Sequence, residues 1–392
     1  MADLACPISR RRFCCGAAAA LATTVPRRGH GQPAAADGWQ ILRARPGEPG
    51  PTLRLKAGDE LRVRLINEMD AATALHWHGV RVPNAMDGVP GLTQEPVKPG
   101  ASFDYRFTPP DAGTFWYRPA VAAEGQRLRG PHGALIVTES EPAGADRDVL
   151  VFVEELSAPD STPVRDIPVR ANERLRLRVV NALVEAVLPL RFENHAVWVM
   201  AIDGQPAEPF QARDGEVTLG PGNRMDLFID ATLAAGESAL VRAHGAPFAR
   251  LLYEGAEPLR PARLAEPKPL AGNRLPERFD FRNAQRLELP LESTPPASGA
   301  RPLFTARRGR TVVLALANRT ETAQAVHLHG HAVRLLDRLD DGWKPFWLDT
   351  VMVAPRQTER IAFVADNPGK WQIECRGLGR AANEKAVWFT VT

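Results

Sequence analysis

The sequence predicts an all-β protein of three β-sandwich units, on the strength of two internal repeats and the composition. A turn followed by an alternating strand that ends in Asn recurs as Gly58 to Asn67 (GDELRVRLIN), Asn172 to Asn181 (NERLRLRVVN) and Gly309 to Asn318 (GRTVVLALAN). A second strand follows each copy. Pro99-Gly100 leads into Phe103 to Phe107, Pro221-Gly222 into Met225 to Ile229, and Pro355-Arg356 into Glu359 to Phe363. Alternation with period two is the mark of a strand with one buried face. The 35 prolines and 31 glycines, with short Val/Leu/Phe-rich runs between them, favour many strands and turns over long helices. At 392 residues the chain can bury two or three full cores.

In chain order the first element is a targeting segment, residues 1–36, which is set apart from the fold. Ser9-Arg10-Arg11-Arg12-Phe13 has the form of a twin-arginine export signal, and Gly16 to Val25 behind it is apolar but too short to span a bilayer. Cleavage is expected after Ala22 or within Pro33 to Ala36. The expected location is therefore periplasmic or otherwise extracytoplasmic, with no transmembrane anchor in the mature chain. Residues 1–30 hold five arginines and one acid, a net +4, so the chain's +3 becomes about −1 once they leave. That balance gives no basic surface for nucleic acid. Cys6, Cys14 and Cys15 leave with the signal; Cys375 remains as a lone thiol without an internal disulfide.

The repeats divide the rest at about 37–142, 143–265 and 266–392. Five of the nine histidines fall in two short runs, His76-Trp77-His78-Gly79 and His327-Leu328-His329-Gly330-His331. Residues i and i+2 of a strand face the same way, so each His-x-His projects two imidazoles from one surface. His76 lies nine residues after Asn67 and His327 nine after Asn318, which puts the pairs on equivalent strands of units one and three. The middle unit has no His-x-His pair; the histidine after its Asn is His195, fourteen residues beyond Asn181. If units one and three meet, His76, His78, His327 and His329 make a four-nitrogen shell for one copper or zinc ion. The alternative is a set of hydrogen-bonded interface histidines with no ion.

Those runs, with Met86 to Gln94 (MDGVPGLTQ), Ala112 to Tyr117 (AGTFWY) and Ala201 to Pro206 (AIDGQP), resemble the multicopper oxidases, laccase-like proteins of three cupredoxin domains. The resemblance implies three cupredoxin-like Greek-key β-sandwiches, with a type 1 copper that passes electrons to a type 2/type 3 trinuclear cluster between domains one and three. By position it makes His76 and His327 the type 2 ligands and His78 and His329 two of six type 3 ligands. His132, His195 and His331 fall outside the ligand positions and read as ordinary polar or core residues.

The other ligand positions depart from the family pattern. Arg118 and Ala120 stand for one His-x-His, and Glu374-Cys375-Arg376 for the His-Cys-His. At the type 1 site Cys375 is present, but Gln324 and Arg380 replace its histidines and Lys385 holds the axial place. A blue copper needs two imidazoles and a thiolate. Arginine stays protonated, and a guanidinium about 4 Å from a dication opposes it by roughly 8 kcal/mol at an effective dielectric near 20. The type 3 region is thus expected to be an ion-paired plug of Arg118, Arg376 and Glu374. Cys375 reads as a small buried hydrophobe, or, if exposed beside Arg376 and Arg380, as a reactive thiolate.

Two function classes follow: an oxygen-dependent copper oxidoreductase, as the resemblance by itself implies, or an exported envelope protein without oxidase turnover, similar to the twin-arginine-exported members of that family that have lost their ligands and serve as structural or division-associated factors, its envelope partner unknown. The ligand count favours the second, with at most one copper or zinc ion bound and none if the site is vestigial.

Overall fold

The computed structural model describes residues 38–120, 130–155, 164–183, 185–292, 301–336, 346–379 and 384–392. The targeting segment and Arg380 lie outside them. Among these described residues the regular structure is all strand, in six sheets, apart from two single-turn 3₁₀ segments.

Each sheet draws its strands from one part of the chain, and the sheets come in pairs. In the first pair, Gln40–Ala44, Leu61–Asn67 and Ser102–Phe107 form one sheet, and Leu53–Lys56, Gly133–Thr138, Gly113–Pro119 and Leu75–His78 the other. In the second, Gln205–Gln211, Val197–Ile202, Arg224–Asp230, Arg174–Asn181 and Arg147–Val153 face Glu216–Leu219, Leu188–Phe192, Ser238–Ala243, Ala246–Tyr253 and Arg165–Val169. In the third, Gln285–Leu291, Arg310–Asn318, Thr358–Ala365, Val333–Leu335 and Trp347–Leu348 face Thr305–Ala306, Glu384–Val391, Gly369–Gly377, Gln324–Leu328 and Thr350–Val353.

The sequence repeat is a structural repeat. Leu61–Asn67, Arg174–Asn181 and Arg310–Asn318 each run parallel to the strand two before them in the chain and antiparallel to the Pro-led strand that follows. The turn that opens each copy needs a left-handed residue, with φ of 93° at Gly58, 62° at Asn172 and 82° at Gly309. Only Gly and Asn adopt that conformation cheaply. The Asn that closes each copy is fully buried and ties down a corner. Asn67 Nδ2 donates to the Ala71 and Val97 carbonyls while its Oδ1 accepts from the Met69 N–H. Asn181 does the same with Ala186, Leu219 and Leu183, and Asn318 with Thr322, Val353, Ala354 and Thr320. An amide carries two donors and an acceptor in one plane, so Asn satisfies a strand exit that would otherwise bury unpaired backbone groups.

The buried side chains of the first and third sheet pairs form one continuous cluster, while the second pair has its own. In Leu75–His78, Trp77 enters that cluster against Tyr105, Phe107 and Tyr117, which turns His76 and His78 to the opposite face. Val326 and Leu328 do the same in the third pair and leave His327 and His329 on the other face. The strand period and the core residues between the histidines therefore aim both pairs at one seam.

Candidate metal centre

The seam closes with His76 Nε2 only 3.2 Å from His327 Nε2, and all four histidines are buried. The rings stack across it in two layers. His78 lies on His327 with centroids 3.6 Å apart, and His76 on His329 at 3.8 Å.

The oxygen partners assign the tautomers. His76 Nδ1 is 3.0 Å from the Asp87 carbonyl oxygen and 3.3 Å from its carboxylate, so it must donate. His327 Nδ1 is 3.0 Å from the Asp349 carbonyl oxygen, so it donates too. Burial and the neighbouring His329 hold His76 down at about 4, and burial lowers His327, so neither ring takes a second proton near neutrality. Each then presents a bare lone pair at the other across the 3.2 Å gap. Two unpaired buried acceptors cost about 1–3 kcal/mol each. Two imidazoles on one tetrahedral ion at about 2.1 Å stand about 3.4 Å apart, close to the observed gap. The donor set at this point fits a cation.

His329 differs. Its Nδ1 is 3.0 Å from Asp87 Oδ2 and its Nε2 3.3 Å from Glu374 Oε1. Burial disfavours the charged ring, but Asp87 and Glu374 outweigh it and raise His329 to about 9. His329 is an imidazolium between two carboxylates, and freeing its nitrogen at pH 7 costs about 3 kcal/mol. Asp87 reaches both His76 and His329 because Gly88 brings its loop onto the histidine strand. At φ 81°, a Cβ on Gly88 would lie 1.9 Å from the Leu75 carbonyl oxygen.

Cross-strand register fixes the other ligand positions. Arg118 pairs with His76, Glu374 with His327, Arg376 with Ala325 and Cys375 with Val326. Arg118 Nη2 donates to Glu374 Oε2 at 2.5 Å, and Arg376 Nη2 lies 3.7 Å from the same oxygen. Ala120 adds only its backbone, donating to the Ala74 carbonyl. The cavity among His78, Trp116, Arg118, His327, Glu374 and Arg376 measures about 10 Å³, room for a single water-sized species. Gln324 Nε2 donates to Thr320 Oγ1, and burial pushes the Cys375 thiol up to about 12, so the reactive-thiolate reading of that residue does not hold. Lys385 sits opposite Cys375 in register. His132, His195 and His331, outside the ligand positions, are buried. His132 meets the Gly130 carbonyl and Glu154, His195 meets the Glu193 carbonyl and Tyr253 Oη, and His331 donates to the His329 carbonyl among Phe363, Trp371 and Phe389.

The residues that sequence reasoning passed over come from the middle part of the chain and from the start of the strand Thr350–Val353. Arg224, without exposed surface, makes a bidentate pair with Asp349 at 2.9 and 2.6 Å. Asp203 accepts from the backbone N–H groups of Arg224, Asp349 and Thr350. Burial and the Asp349 carboxylate push Asp203 up to about 6. Asp203 stands in the AIDGQP motif; Asp349 and Thr350 had no local signal.

Three models of the family described as multicopper oxidase match residues 41–142, 97–247 and 272–392. A solved structure, Lac15 from a marine microbial metagenome, is 31% identical over 90% of this chain and 99% of its own, with a TM-score of 0.74. The chain belongs to the multicopper oxidase family. A multicopper oxidase from Pseudomonas thermotolerans superposes with a TM-score of 0.76 at 28% identity, covering 90% of this chain and 99% of that one. Multicopper oxidase MmcO of Mycobacterium tuberculosis is 27% identical over 83% of this chain and 78% of its own length. Copper resistance protein A of Pseudomonas syringae pv. tomato is 43% identical over 24% of this chain and 15% of its own.

Membership implies copper. The residues present fit one ion at the His76–His327 gap. They do not fit a blue copper at Cys375, where an amide and an ammonium stand at ligand positions. Nor do they fit a full trinuclear cluster, where Arg118, Glu374 and Arg376 fill the space as ion pairs. Among the described residues two groups of three donors lie within ligand reach, His76/His327/His329 and His78/His327/Asp349. The second is poorly aimed, since His78 and His327 are stacked 11° from parallel and their in-plane lone pairs do not converge.

Proposed function

We propose that this multicopper oxidase relative is an exported envelope protein that binds a single copper or zinc ion and has lost oxidase turnover. The observation that carries the reading is the pair of bare nitrogens, His76 Nε2 and His327 Nε2, 3.2 Å apart with both Nδ1 atoms committed to oxygens. His329 is the third donor within reach of the gap, and His78, stacked on His327, joins the shell through its second nitrogen only on turning out of that stack. Bound there, the ion supplies a positive charge shared by units one and three, divided in the sequence near 142 and 265. Arg118 and Arg376 repel further ions, and Glu374 holds them in place. Electrons have no thiolate-imidazole entry point, because Gln324 and Arg380 stand where the two imidazoles beside Cys375 would be.

Export by the twin-arginine route rests on Ser9 to Phe13 and the apolar stretch behind them. Among the described residues no helix is long and apolar enough to cross a membrane. The second reading is laccase-like oxygen reduction, favoured by the family match and by the oxidase named among the relatives. Metal analysis of the purified protein after copper loading, with oxygen uptake on phenolic dyes, separates the two. One ion or none without uptake supports the proposal, whereas three or more coppers with turnover overturns it.

A further inference from the structure

Thr350 has one hydroxyl proton and three neighbours that compete for it. Its Oγ1 is 2.8 Å from Asp349 Oδ1, 3.0 Å from His78 Nε2 and 3.0 Å from His327 Nδ1. The carboxylate is both the nearest and the charged acceptor, and a charge-assisted bond is roughly twice as strong as a neutral one. The hydroxyl therefore donates to Asp349 and its lone pairs accept from both rings. His327 is already fixed as a donor by the Asp349 carbonyl; His78 has no such second anchor. Among the described residues the other acceptor near its Nε2 is Asp349 Oδ1 at 3.4 Å, which asks for the same Nε2–H tautomer.

The opposite ring nitrogen, His78 Nδ1, is buried and has no hydrogen-bond partner among the described residues. With the proton on Nε2 this nitrogen carries a bare lone pair, and His78 lines the cavity of about 10 Å³ between the two histidine strands. The lock is held from a distance. Arg224 clamps Asp349 through both carboxylate oxygens, Asp203 accepts from the N–H groups of Asp349 and Thr350 at 3.2 and 3.3 Å, and Asn223 donates to the Thr350 carbonyl at 3.0 Å. Arg224, Asp203 and Asn223 all belong to the middle part of the chain, which supplies no histidine to the seam.

We propose that Thr350, oriented by the Arg224–Asp349 pair, is a positioning residue that locks His78 in the Nε2–H tautomer and so keeps His78 Nδ1 available as a metal donor. The use of that donor rests on the metal-binding reading above; the lock itself does not. In this assignment the middle unit, though it contributes no ligand, sets the protonation of one.

The test is ¹⁵N imidazole NMR of the metal-free full chain with labelled histidine, the His78 signals identified by their loss in His78→Gln. The wild type is expected to show His78 protonated at Nε2, and Thr350→Val to give a mixed or Nδ1–H ring, with Thr350→Ser restoring the original signals. A wild-type His78 protonated at Nδ1, or a tautomer unmoved in Thr350→Val, overturns the proposal. If the valine variant does not fold, the wild-type spectrum decides the tautomer by itself. Copper titration separates the two claims. A 10–100-fold loss of affinity in Thr350→Val, as expected for a partner of a ligand, supports the donor role. An NMR lock in a wild type that binds no copper leaves the lock standing and removes the metal reading. Unchanged copper affinity in a variant whose tautomer has moved refutes the donor role of His78 Nδ1.

Discussion

Replacing Glu374 by Gln isolates what holds the ligand-poor seam together. Glu374 and Arg118 have side chains only 7% and 4% exposed, and their contact is 2.5 Å. Neutralising the acid leaves a buried guanidinium without its counter-charge, which costs about 3–5 kcal/mol. Arg376 at 3.7 Å and the His329 imidazolium at 3.3 Å lose the same partner, while the Gln oxygen still accepts one hydrogen bond, so a value near the low end, about 3 kcal/mol, is expected. The assay is urea unfolding followed by fluorescence of the buried tryptophans Trp77, Trp116 and Trp371. With a slope of about 1–3 kcal/mol per molar, the transition should move down by roughly 1 M or more. The control is Arg118→Met with Glu374→Leu, which removes both charges and should recover most of the loss, because an apolar pair can replace a buried ion pair at little cost. A Glu374→Gln transition displaced by less than about 0.5 kcal/mol, the usual range for an inconsequential surface change, would refute the idea that an ion-paired plug closes this region.

Other consequences can be checked separately. Replacing His76 and His327 together by Ala should abolish metal binding in elemental analysis, and Arg118→His with Arg376→His should raise capacity above one ion. Copper loading under oxidising conditions should give no intense blue absorption; a blue band that disappears in Cys375→Ser would contradict the assignment of that thiol as buried and inert. Asn67→Ala should destabilise by about 2–4 kcal/mol in thermal or urea unfolding, since it leaves the Ala71 and Val97 carbonyls and the Met69 N–H without their partner. Burial lowers the folded pKa of His195. The unfolded chain therefore takes up that proton first, and stability from this residue is present at neutral pH and declines as pH falls through about 6.5. In His195→Gln the slope of stability between pH 7 and 5 should be shallower, and an unchanged slope would show that His195 does not contribute to it.

The repeat is legible in the residues alone, and with it the strands and the equivalence of the two histidine runs. A nine-residue spacing from turn to Asn and a further nine to histidine is local information, written in residues whose turn conformation, side-chain period and amide geometry act over one strand and its exit. Arg118, Glu374 and Arg376 are equally legible as charges at ligand positions, because charge is a property of the residue type. The family pattern added the expectation that units one and three meet. What the four histidines are to one another comes from packing. His329 is an imidazolium rather than a neutral donor because Asp87, 242 residues away in sequence, lies against it. His78 owes its tautomer to Thr350, 272 residues away, and Thr350 owes its orientation to Arg224 and Asp203. A proton's position on an imidazole depends on which oxygen lies within about 3 Å of each nitrogen. No spacing along the chain encodes that distance; it exists only once three sheet pairs have packed around one seam.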